Sequence, residues 1–112
     1  LTPERVPMAR PLRDLVAEIA AAVAVPTIAG TPQQGQTLTS TPGKWTAADA
    51  TLGYQWQRCD AAGANCAAVP GATTSTYAVT TADVGTTLRV VVSAANRFGT
   101  ATGTSAQTAV VT

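Results

Sequence analysis

This 112-residue chain contains no histidine. With it go the commonest general base and the commonest metal ligand. Charge is scarce as well: charged residues make up 12% of the sequence, their sum is a net +1, and they form no run of either sign. A basic footprint for nucleic acid is therefore missing, and an anionic membrane is an equally poor match. The longest apolar run, Ile19 to Pro26, is far too short to cross a bilayer, so no direct membrane insertion is expected. Ser, Thr and Asp are numerous, but no His or convincing Lys partner accompanies them to make a nucleophile and base. Asp49, Asp60 and Asp83 fall in separate turn-like stretches, which indicates neither a glycosidase pair nor a calcium loop. Each reads as a turn cap. No catalytic residue, cofactor or metal site is expected.

What is present is 46% hydrophobic residues, enough for one domain with a modest core. The chain divides into two unlike parts, an N-terminal extension Leu1–Val25 and a remainder Pro26–Thr112. From Pro11 to Val25 the apolar residues Leu12, Leu15, Val16, Ile19 and Val23 recur at the three-and-four spacing of an amphipathic helix. Pro11 suits its first turn and Pro26 its stop. As a signal peptide the same stretch fits badly, because Arg13, Asp14 and Glu18 interrupt the apolar segment, although Ala22-Val23-Ala24 imitates a cleavage site.

After Pro26 the pattern changes to short Thr- and Val-rich segments punctuated by Gly, Pro and Asn. Strands are predicted near Thr27–Ala29, Gln36–Ser40, Thr51–Arg58, Ala67–Val69, Ser75–Val79, Thr86–Asn96 and Thr102–Val111. About seven short strands are what a β-sandwich uses. In TLRVVVSAAN the residues Leu88, Val90, Val92 and Ala94 face one way, and in TLGYQWQRC the alternation makes Trp56 the centre of the core. TTADVG reads as a corner, with Asp83 bonding nearby backbone and Gly85 free to take positive φ. NRFG at Asn96–Gly99 reads as a hairpin turn.

Taken together, Gly35 and Leu38, Gly43 and Trp45, the run Tyr54-Gln55-Trp56-Gln57-Arg58-Cys59, Gly71-Ala72-Thr73, Tyr77, Asp83-Val84-Gly85 and Ala94-Ala95-Asn96 form a recognisable set. It resembles the immunoglobulin-like domains of bacterial surface and secreted proteins, particularly of actinobacterial type, which phage virions also carry. The likeness covers Val25 to Val111. It implies an all-β, immunoglobulin-like Greek-key β-sandwich, here preceded by an amphipathic α-helix foreign to the family, and a role in spacing, displaying or binding rather than catalysis. The inter-sheet disulfide of antibody domains is absent.

Cys59 and Cys66 lack the CxxC spacing of redox enzymes, and without histidine two cysteines do not close a zinc site. Spacing and resemblance together point to a disulfide pinning the turn DAAGAN, and so to an extracellular, cell-surface or virion-surface setting. The helix leaves an apolar stripe in need of a partner, so Leu12, Leu15, Val16, Ile19 and Val23 are candidate contacts for a protein partner or for self-assembly. Arg97 and Phe98 at the hairpin tip are candidate contacts of the same kind. The alternative is a carbohydrate-binding module that stacks a glycan on an exposed aromatic, with Trp45 as the candidate contact.

Overall fold

The computed structural model describes residues 22–45 and 50–112. Leu12, Leu15, Val16 and Ile19, with most of the predicted helix, lie outside the described residues, as does Asp49. The helix's predicted last turn does not hold. Ala22–Ala24 is instead a strand, β1, so Val23 sits in a sheet. The run Ala22-Val23-Ala24-Val25 alternates small and β-branched residues, which satisfies the strand period as well as the helical one. A pairing partner decides between them: β1 is antiparallel to β4, Lys44–Trp45, with Ala22 opposite Trp45.

The other described strands are β2 (Ile28–Ala29), β3 (Thr37–Ser40), β5 (Thr51–Cys59), β6 (Ala67–Ala68), β7 (Thr76–Ala78), β8 (Thr87–Asn96) and β9 (Gly99–Thr104), with a 3-10 turn at Thr81–Asp83. Two antiparallel sheets result, in the orders β2-β3-β7 and β6-β5-β8-β9. The small β1-β4 ladder extends the first beyond a kink. Gly43 makes that kink possible, since its φ is +76° and a Cβ there would lie 2.7 Å from the Ala24 carbonyl oxygen.

Between the sheets lies the core. Leu38 and Tyr77 from one sheet, with Val79 just beyond it, meet Trp56, Leu88, Val90 and Val92 from the other, and Val111 joins them. The predicted alternation in β8 holds, with Leu88, Val90, Val92 and Ala94 all buried. Trp56 stands opposite Val90 in the ladder, stacks on Tyr77 at 5.5 Å between ring centroids, and donates its indole N–H to the Thr74 carbonyl at 2.8 Å. The small core thus spends its largest side chain on packing and leaves no polar atom of it unpaired.

The last strand departs from expectation. It begins at Gly99 and ends at Thr104, where the sequence suggests Thr102–Val111. Pairing with β8 continues past Thr104 but at uneven steps, through Ser105 N–H to Val90 O, Thr108 N–H to Leu88 O and Val111 N–H to Thr86 O. Two hydroxyls cause this: Ser105 Oγ accepts from Val90 N–H and Thr108 Oγ1 from Leu88 N–H, standing in for ladder carbonyls. Thr112 then donates to Pro32 O and accepts from Gln34 N–H, closing the seam against the other sheet.

The chain consequently enters at the end that holds β1, β4 and the β8–β9 hairpin, and Thr112 lies at the opposite end. Replacing Trp56 by Ala should cost about 3–5 kcal/mol in urea unfolding and abolish the near-ultraviolet dichroism of the stacked pair. A loss below about 1 kcal/mol would remove Trp56 from the centre of the core.

Candidate functional site

Two ends and one cross-tie carry the polar and exposed groups of this sandwich. The cross-tie is the least expected. Asp83, at the end of the 3-10 turn, is fully buried, yet its carboxylate is completely engaged. Oδ1 accepts from Arg58 Nε at 2.7 Å, while Oδ2 accepts from Tyr77 O–H at 2.7 Å, Thr80 N–H at 2.8 Å and Thr80 Oγ1 at 3.1 Å. Arg58 belongs to β5 and Tyr77 to β7, so one carboxylate joins the two sheets.

Burial by itself would raise the Asp83 pKa, but the hydrogen bonds from Thr80 N–H, Tyr77 and Arg58 outweigh it and hold the group below the ordinary aspartate value. Tyr77 is pushed up by burial and then by the neighbouring carboxylate, and Arg58 is raised chiefly by its bond to Asp83. Sequence reasoning reads Asp83 as a cap and overlooks Arg58. A signal was there: Arg58 shares the inward parity of Trp56, and an inward cation requires an anion across the sandwich.

At the same end lies the stapled turn. Cys59 and Cys66 form the expected disulfide. Asp60 caps the loop, accepting from Ala62 N–H, Ala64 N–H and Asn65 Nδ2, and the Ala64 N–H and then Asn65 hold its pKa low. Asn65 has a φ of 55°, a left-handed position that Asn tolerates better than most residues. Gln107 Nε2 donates to Gly63 O and ties the turn to the C-terminal segment.

The opposite end gathers several of the predicted contacts. Trp45 lies beside β1, packs against both core clusters and donates its indole N–H to Pro42 O at 2.6 Å. Ala94 beneath it pairs with Leu52 and Ala101, and two pairs further along come Asn96 and Gly99, which bracket the turn Arg97-Phe98. The predicted hairpin is present: Asn96 Oδ1 accepts from Phe98 N–H, and the Arg97 guanidinium lies 4.8 Å from the Phe98 ring centroid. Phe98 and Leu52 are exposed. Val23, through β1, Trp45 and the Arg97–Phe98 turn thus share one end, whereas the cysteines sit at the other.

Two outcomes follow for stability. Asp83 binds its proton less tightly folded than unfolded, so its contribution is full above the unfolded value of about 4 and is lost as pH falls through the lower folded value. Tyr77 is the reverse, contributing below about pH 10 and losing that contribution as pH rises. With no histidine to titrate between them, the denaturation midpoint should stay flat from about pH 5 to 9 and fall on either side. Asp83→Asn should lower the plateau by about 2–3 kcal/mol and flatten the acid limb; an unchanged acid limb would contradict the tie.

Reducing Cys59–Cys66 should cost about 2–3 kcal/mol, by loop-closure entropy, and leave the sandwich folded. Complete unfolding in mild reductant would show that the staple holds the core.

In comparisons with known proteins, no family model matches the chain and no curated protein matches its sequence, so its functional reading rests on the residues themselves.

Proposed function

We propose that the chain is a non-catalytic, immunoglobulin-like structural or interaction module, displayed outside the cell on a cell surface or a virion and docked through its N-terminal segment. The observation that carries this reading is the polarity of the sandwich. One end is locked by the Asp83 tie, the stapled turn and the Thr112 closure, while the other receives the chain at β1 and presents Leu52, Phe98 and Arg97 beside it. The exposed Leu52 and Phe98, with Arg97 beside them, at the end where an apolar segment arrives make a natural docking surface.

Three further features favour the details. Strands β3 and β7 lie in one sheet and β5 and β8 in the other, and this crossing between sheets favours a Greek-key, immunoglobulin-like reading. The Cys59–Cys66 disulfide suits an oxidising, extracellular setting. Asp60, Asp83 and Tyr77 are each engaged in structural hydrogen bonds, which favours a framework role over chemistry. The carbohydrate-binding alternative is less well served, because Trp45 already packs on the core and gives its N–H to Pro42.

Because β1 belongs to the sheet, the informative truncation stops before Ala22 rather than after Val25. The shortened chain should keep its thermal midpoint and near-ultraviolet dichroism but sediment as a monomer, whereas the full chain sediments as an assembly. Identical sedimentation of the two would refute docking through the N-terminal segment.

A further inference from the structure

The seam between the sheets is open on the side of β6 and β7. A cleft of about 370 Å3 lies there, with Pro70 and Ala72 on one wall, Thr76, Ala78 and Thr80 on the other, and Arg58 reaching into it. Arg58 is one-third exposed; its Nε donates to Asp83, and its guanidinium also hydrogen-bonds Tyr77. The exposed part of its side chain helps to line the cleft. Pinned through Nε, the guanidinium holds its outer fork in a fixed direction. A planar fork of this kind matches a carboxylate in bidentate fashion.

The second wall is a sheet edge with no partner strand among the described residues. Among the described residues β7 pairs with β3 alone, and the bonds at Ser75 O and Val79 run toward β3 and the chain preceding it. By the alternation of an antiparallel ladder, Thr76 and Ala78 point their backbone groups outward. Thr76 O is satisfied by Thr74 Oγ1, which leaves Thr76 N–H and both backbone groups of Ala78 turned to the cleft. No charge, proline or bulge blunts this edge, as sheet edges usually require.

We propose that the cleft binds an extended peptide segment of a partner protein, added as a strand to the β7 edge, with an acidic side chain of that segment held by the Arg58 fork. Backbone pairing supplies a site for any extended chain, and Arg58 selects for the carboxylate. The described acids Asp60 and Asp83 are already bonded. This lateral site is separate from the N-terminal end and does not depend on docking there.

The test uses the full chain, labelled with nitrogen-15, and two acetylated hexapeptides of alternating Thr and Val that carry one central Glu or, as control, one Gln. The Glu peptide should shift the amides of Thr76, Ala78 and Thr80 and the Arg58 Nε–H saturably, with the Gln peptide about tenfold weaker. Ala78→Pro should reduce binding by about tenfold while keeping the thermal midpoint, because the lost N–H points away from β3. Absence of saturable shifts, equal affinity for the two peptides, or shifts confined to other strands would overturn the proposal. So would glucuronate binding with the peptide silent, or a self-association that Ala78→Pro abolishes, since each assigns the cleft another occupant.

Discussion

A carboxylate buried without partners would lose its proton only at great cost, and a two-layer sheet with so little aromatic mass has little stability to spare for it. Asp83 resolves this by receiving donors from both layers at once: Arg58 from β5, Tyr77 from β7, and the Thr80 backbone from the corner that joins that layer to β8. Each donor comes from a segment that the hydrophobic core alone would leave free to slide. Directional bonds to a single anion fix the register of one sheet on the other, which apolar contact does not. The stacked Trp56 and Tyr77 rings then pack above a tie already set.

Much of this frame is legible in the residues. The alternation of Leu88, Val90, Val92 and Ala94 is strict because one face of β8 is core and the other is not, and so it survives into the structure unchanged. Trp56, the Asn96–Gly99 hairpin, the Cys59–Cys66 staple and the positive φ of Gly85 are set by local rules and emerge where those rules put them. What escapes is whatever needs a partner distant in sequence. Ala22–Ala24 fits two periods, and only β4 selects the strand. The stretch after Thr104 looks like strand until two hydroxyls take over the acceptor role of the ladder.

For the candidate sites the same division holds. The hairpin pair Arg97 and Phe98 is visible as a local motif, and the structure adds that it shares an end with Trp45 and β1. Arg58 escapes because its meaning depends on Asp83 and Tyr77, far along the chain and in the opposite layer. Its dual position, bound on one side and open to a cleft on the other, makes the structural tie and the proposed peptide site two uses of one guanidinium. The proposed docking end and the proposed lateral edge thus lie on different parts of one sandwich.

One carboxylate couples the two sheets. A double-mutant cycle between Tyr77→Phe and Arg58→Met, read by urea denaturation at neutral pH, tests it most directly. These residues lie in different layers and meet at Asp83. A coupling of about 1 kcal/mol or more is expected, because either loss leaves the buried anion leaning harder on the remaining donor. Losses that simply add, within about 0.5 kcal/mol, would contradict it and return the joining of the sheets to the apolar core alone.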